Sequence, residues 1–151
     1  EMLLDFIKGI TCDSSVPTLT EQEVKMILNA QLSEKVSPQL LVILSDSNYT
    51  TIFPDKVSEI YNKTGLKTSE YRPDVFDCEN FSQVMLGEVM KSSKSDWSVK
   101  YQYAFGIVYG YIPTPHAINW FITPDKYLMF LEPQSGEIFK PKGTKIFFIY
   151  A

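Results

Sequence analysis

The spacing of apolar residues changes once along this chain, and that change restricts the folds open to it. Up to about residue 98 the apolar residues recur at helical intervals; beyond it, β-branched and aromatic residues crowd into short runs. Thr20-Glu21-Gln22-Glu23 has the form of a capping box, and Val24, Ile27, Leu28 and Leu32 behind it predict a helix over 21–32. Ser37-Pro38 reads as an N-cap followed by proline, and the run Gln39 to Leu44 fits either a short buried helix or a buried strand. Pro54-Asp55 opens another helix, with Val57, Ile60 and Tyr61 on one face and Gly65 as its stop. Asp77 reads as the N-cap of a helix from Cys78 to about Lys91, with Cys78, Phe81, Met85 and Val89 as its apolar stripe. Then the pattern turns to strands: Val99 to Ile112, a hairpin of His116 to Ile122 and Tyr127 to Leu131, and Lys145 to Tyr150. Helices first and strands afterwards indicate α+β rather than alternating α/β. The expectation is one domain over 1–151, mainly helical over 1–70, with a helix and an antiparallel sheet over 71–151.

Scarce residues narrow the chemistry. The 151 residues include one histidine and two cysteines. One histidine rules out zinc sites built on two or three histidines of one chain, and two cysteines rule out a disulfide-rich scaffold. Cys12 and Cys78 leave one disulfide open. The formal charge of −4 disfavours nucleic acid as a partner. No run approaches the ~20 apolar residues that span a bilayer, so no membrane span is expected. Met2 to Ile10 is apolar but lacks a basic start and a small-residue cleavage site, and is not read as a signal peptide. The start at Glu1 fits a processed product, a trimmed chain or a piece of a longer protein. Compartment and oligomeric state stay open.

Three short segments carry candidate chemistry: Phe76-Asp77-Cys78-Glu79-Asn80-Phe81, Pro115-His116-Ala117 and Leu131-Glu132-Pro133-Gln134. Cys78 falls in the first turn of a helix, where unpaired N–H groups and the helix dipole stabilise a thiolate. An imidazole within reach can accept the thiol proton, and a carboxylate on its other nitrogen fixes the tautomer. Reflecting His116 through a hairpin turn centred near Pro124 brings Glu132 beside it. Asp77 and Glu79 oppose thiolate formation. Tyr101, Tyr103, Phe105, Tyr109 and Tyr111 share one parity and predict an aromatic-rich sheet face. Asn119, three residues past His116, is read as structural.

The order of these segments resembles the papain-like and transglutaminase-like cysteine peptidase superfamily. Within it, the pattern is most similar to the C-terminal peptidase domain of fungal chimerolectins of the Marasmius oreades agglutinin type, and to related phage and bacterial domains. The resemblance runs from Tyr71 to about Phe139. It implies a papain-like fold and assigns Cys78 as nucleophile, His116 as base and Glu132 as the orienting residue. The function it implies is a cysteine-dependent peptidase or amidase working on a peptide or protein substrate through a thioester. The alternative is a catalytically inactive papain-like binding or structural module, such as a virion or toxin component. The glutamine that papain-like enzymes carry shortly before the cysteine is missing, which leaves the backbone N–H of Cys78 together with Tyr71 or Arg72 as oxyanion donors, and Gln134 as a polar neighbour. The resemblance also implies calcium, for which Asp74, Asp77 and Glu79 are the nearby oxygen ligands.

Overall fold

The computed structural model describes residues 16–32, 36–142 and 145–151, so Cys12 and the Met2 to Ile10 segment lie outside the described residues. Strand β1 (Thr18–Thr20) leads into helix α1 (Glu21–Leu32), followed by β2 (Val36–Ile43), β3 (Asn48–Thr50) and α2 (Pro54–Thr64). A 3-10 turn over Leu66–Thr68 precedes α3 (Cys78–Ser95). The chain ends in β4 (Phe105–Tyr111), β5 (Pro115–Ile122), β6 (Leu128–Glu132), β7 (Glu137–Phe139) and β8 (Lys145–Tyr150).

Helix boundaries follow local chemistry. Thr20 and Glu23 close the capping box reciprocally: the Glu23 N–H donates to Thr20 Oγ1 at 3.2 Å and the Thr20 N–H donates to Glu23 Oε2 at 2.8 Å. Val24, Leu28 and Leu32 are the buried stripe of α1. Proline starts α2, and Gly65 stops it in the left-handed region at φ 74°. Asp77 caps α3 through Glu79 N–H, while Asn80 Oδ1 accepts from Asp77 N–H at 3.1 Å. That helix runs four residues past Lys91. Ser93 and Ser95 hydroxyls donate to the carbonyls of Val89 and Lys91, so the polar stretch after Lys91 forms a solvated last turn.

Six strands form one sheet in the order β2-β8-β4-β5-β6-β7, and β1 pairs with β3 in a separate ribbon. β2 lies parallel to β8; the other pairs in the sheet are antiparallel. Helices cover both faces. One core joins Val24, Leu28 and Leu32 of α1 to Ile118, Trp120 and Phe130. The other joins Val57 and Ile60 of α2 and Phe81, Met85 and Val89 of α3 to Phe105, Phe121 and Leu131. Neighbouring residues of β5 therefore point into different cores, as a strand period of two requires.

This arrangement corrects the expected division into a helical front and a sheet behind. Eight strands stand against three α-helices among the described residues, and residues 16–70 contribute three of those strands. β1 and β3 are three residues each, too short for a periodicity reading, and are fixed instead by burial of Leu19 and Tyr49. β2 is the run left open between helix and strand; its parallel partner is the last strand of the chain, a pairing that local sequence does not encode. Residues 99–104 do not extend β4. They run beside β3, where Thr50 bonds to Gln102 and Ala104 through its backbone and to Tyr101 through its hydroxyl.

Candidate functional site

Cys78, His116 and Glu132 come together from three elements. Cys78 is the first residue of α3, His116 the second of β5, and Glu132 the last of β6. His116 Nε2–H donates to Glu132 Oε2 at 2.6 Å, a distance that marks a strong, charge-assisted bond. Both side chains are about four-fifths buried, at 18% and 21% exposure, so solvent weakens the pair little. The route to this contact differs from the simple reflection. Ile122 pairs with Leu128, which centres the turn on Asp125. Glu132 is thus a diagonal cross-strand neighbour of His116, and the long side chains close the gap.

The turn after β6 holds the carboxylate. Gln134 N–H donates to Glu132 Oε1 at 3.0 Å, and Gly136 N–H donates to the Glu132 carbonyl at 2.8 Å. Gly136, at φ 83°, lies against the Tyr61 ring so closely that a Cβ there would collide with it. Tyr61 is buried, and its hydroxyl has no hydrogen-bond partner among the described residues. Burial pushes the Tyr61 phenol up, and the Glu132 charge adds to the effect, so a neutral ring backs the carboxylate.

On the thiol side, α3 is tied to β5 beneath Cys78. Ser82, fully buried, lies 2.9 Å from the Cys78 carbonyl and 3.0 Å from the Ala117 carbonyl, and its hydroxyl proton serves these two acceptors. Asn119 Nδ2 donates to the carbonyls of Ser82 at 3.0 Å and Gly106 at 3.1 Å. These ties fix the first turn of α3 against the strand that carries His116. Cys78, Glu79, Tyr109, Pro115, His116 and Phe147 line one cavity of about 290 Å3. Cys78 is half-buried and free. Among the described residues no hydrogen bond joins the thiol to the ring; they meet across the cavity. With Nε2–H given to Glu132, Nδ1 is left as the acceptor, and the arrangement can take up a thiol proton and balance the resulting imidazolium. Tyr109 forms the cavity wall. Burial first, then the charges of Glu79 and Cys78, raise its phenol and keep it neutral.

The other sequence candidates fall differently. Tyr71 and Arg72 are exposed and are not among the residues that line the cavity, and the Arg72 backbone closes a tight turn with Phe76. Gln134 contributes its backbone N–H to Glu132. The Asp77 carboxylate is engaged as the helix cap, Glu79 is on the cavity wall and Asp74 is in the preceding turn at φ 57°. Among the described residues no three acidic, histidine or cysteine side chains group as a metal site. Sequence reading missed Ser82, whose signal was a polar residue on the buried stripe of α3, and Phe147, whose strand carries no local mark of the cavity; Tyr109 belongs to the aromatic-rich sheet face that the sequence predicts. No helix among the described residues is long and apolar enough to cross a membrane.

Comparison with known proteins revises the functional expectation. The family described as Agglutinin C-terminal matches residues 49–138. No curated protein matches the chain. Among solved structures, one titled "PSL1a-E64 complex" is similar with a TM-score of 0.80 and 26% identity, covering 89% of this chain and 51% of that one. A second, a Polyporus squamosus lectin bound to the human-type influenza-binding epitope Neu5Acα2-6Galβ1-4GlcNAc, has a TM-score of 0.75 and 26% identity, covering 89% and 49%. The chain thus spans about half the length of these structures. These findings replace the papain-like and transglutaminase-like cysteine peptidase placement, and with it the papain-like fold label, since the matching family is the agglutinin C-terminal one and a solved structure of similar fold is a lectin. The cysteine peptidase or amidase function and its papain-like inactive alternative give way for the same reason. So does the expected peptide or protein substrate, because the ligand named for the lectin is a glycan. With more than half of its residues inside the matched segment, the chain belongs to the agglutinin C-terminal family.

Proposed function

We propose that this chain works as the C-terminal domain of a glycan-binding agglutinin, and that the cavity of Cys78, His116 and Glu132 is the domain's own small-ligand site. One observation carries the reading: the agglutinin match over residues 49–138 contains all three side chains. Likeness to the Polyporus squamosus lectin supports the first half, and its bound epitope is the ground for taking a sialylated galactosyl-GlcNAc glycan as the ligand class of the whole protein in this reading. Likeness to the complex with E64 supports the second half, since a protein of similar fold takes up that compound. In this reading Cys78 supplies a polarisable thiol, His116 receives its proton and Glu132 balances the charged ring.

Two measurements test the halves separately. An agglutinin-length protein carrying this chain at its C-terminus is titrated calorimetrically with Neu5Acα2-6Galβ1-4GlcNAc. The chain is also incubated with E64 and then with iodoacetamide, and labelling at Cys78 is read by mass spectrometry. The expected results are saturable glycan binding by the longer protein and protection of Cys78 by E64 that weakens in His116→Ala. Absence of glycan binding overturns the first half. Full iodoacetamide labelling of Cys78 at saturating E64 overturns the second.

A further inference from the structure

A second cavity, also about 290 Å3, lies beside the first between α3 and the sheet. Gln83, Leu86, Met90, Ile107, Tyr109 and Phe148 line it. Three observations join it to the Cys78 cavity. Tyr109 lines both. Glu79, Gln83, Leu86 and Met90 recur at helical spacing, so one face of α3 walls first one cavity and then the other. Phe147 faces the first cavity and its neighbour Phe148 the second, with the Phe148 ring 5.4 Å from that of Tyr109. The lining contains no charged side chain; Gln83, Tyr109 and Tyr150 are its polar-bearing residues. Gly87 also lines the groove, and an added Cβ there would meet nothing within 4 Å.

We infer that this groove is an apolar subsite of the Cys78 site, taking an uncharged hydrocarbon arm of a ligand whose polar end lies at Cys78. The inference rests on reading the Cys78 cavity as a ligand site. Helical rise sets the scale: Gln83 and Gly87 lie about 7 and 13 Å along α3 from Cys78, so a ligand must extend by that much to use both cavities. The absence of charge in the lining selects against ammonium or carboxylate ends in the groove, because such a group would lose its hydration without a partner.

Alkylation kinetics at Cys78 test this. Iodoacetamide is compared with N-butyl, N-hexyl and N-octyl iodoacetamide; in each case a sulfur–carbon bond forms, iodide leaves and the thiol proton passes to His116 or buffer. The hexyl reagent is expected to label Cys78 about tenfold faster than iodoacetamide or more, as several buried methylenes should produce. Gly87→Leu fills the groove and should return that ratio towards one while the iodoacetamide rate stays unchanged; Gly87→Ala serves as the milder version. The plain iodoacetamide rate, compared with His116→Ala, reads the thiol site itself, so its failure is distinguishable. Should that site fail, unreactive N-hexylacetamide is titrated and the Met90 methyl resonance followed: a saturable shift, lost in Gly87→Leu, sustains the groove. A ratio that stays near one together with an unmoved Met90 methyl overturns it, as does a ratio indifferent to Gly87→Leu. Closure of the groove by a second copy of the chain, read as hexyl labelling that slows with protein concentration, also overturns it.

Discussion

Gly106 and Gly87 should answer the same substitution with opposite signs. Gly106 pairs with Trp120 across β4 and β5. A Cβ at Gly106 would collide with the Tyr150 carbonyl oxygen, and would stand 2.7 Å from Trp120 Nε1 and 2.9 Å from Ala151 Cβ. Tyr150 O is also the acceptor of the Trp120 indole N–H at 3.2 Å, and Trp120 is fully buried. Gly106→Ala must therefore push β8 away or break that bond. Overpacking costs about 1–3 kcal/mol. A buried indole donor left without an acceptor adds about 1–3 kcal/mol. The expected loss is about 4 kcal/mol, a large share of the roughly 5–15 kcal/mol that holds a domain folded. Gly87 is interior to α3 and its added methyl meets nothing, so Gly87→Ala gains about 0.5–1 kcal/mol from helix propensity. Urea unfolding followed by tryptophan fluorescence and far-UV circular dichroism measures both, with unchanged m-values as the control. A loss below about 1 kcal/mol at Gly106, or a comparable loss at Gly87, would refute the packing argument.

Further expectations concern the site and its supports. Ser82→Ala removes the hydroxyl between the Cys78 and Ala117 carbonyls and should cost about 1–3 kcal/mol in urea unfolding, with slower Cys78 alkylation at pH 7. Glu132→Gln leaves His116 without its charged partner and should slow that alkylation about tenfold with little change in fold by circular dichroism. Asp77→Ala opens the α3 cap and should cost about 1 kcal/mol, read as a lower Tm. The backbone and hydroxyl of Thr20 hold the Glu23 carboxyl below its usual 4.5. Its stabilising contribution is present above that value and is lost as pH falls through the lowered folded-state value. Glu23→Gln should therefore flatten the dependence of stability on pH below about 4.5, and an unchanged slope in acid titration of Tm would count against the cap.

The readings that held were those set by neighbours in sequence. Capping boxes, a proline start and a glycine stop fix α1, α2 and the beginning of α3 within a turn, because their hydrogen bonds span three or four residues. The hairpin of β5 and β6 was legible for the same reason, although its centre moved by one residue and made the His116–Glu132 contact diagonal. Polar runs misled at the end of α3, where serine hydroxyls bond back along the helix.

What the sequence determined by itself was which groups are available: one imidazole, a thiol with a helix N-terminus behind it, and an acid near a hairpin end. Tertiary structure decided where they meet and what surrounds them. The parallel pairing of β2 with β8 joins residues more than a hundred positions apart. Packing of α3 over β4, β5 and β8 creates both cavities and their shared Tyr109 wall. No local pattern encodes such contacts, because loop closure and burial of distant apolar faces are properties of the whole chain.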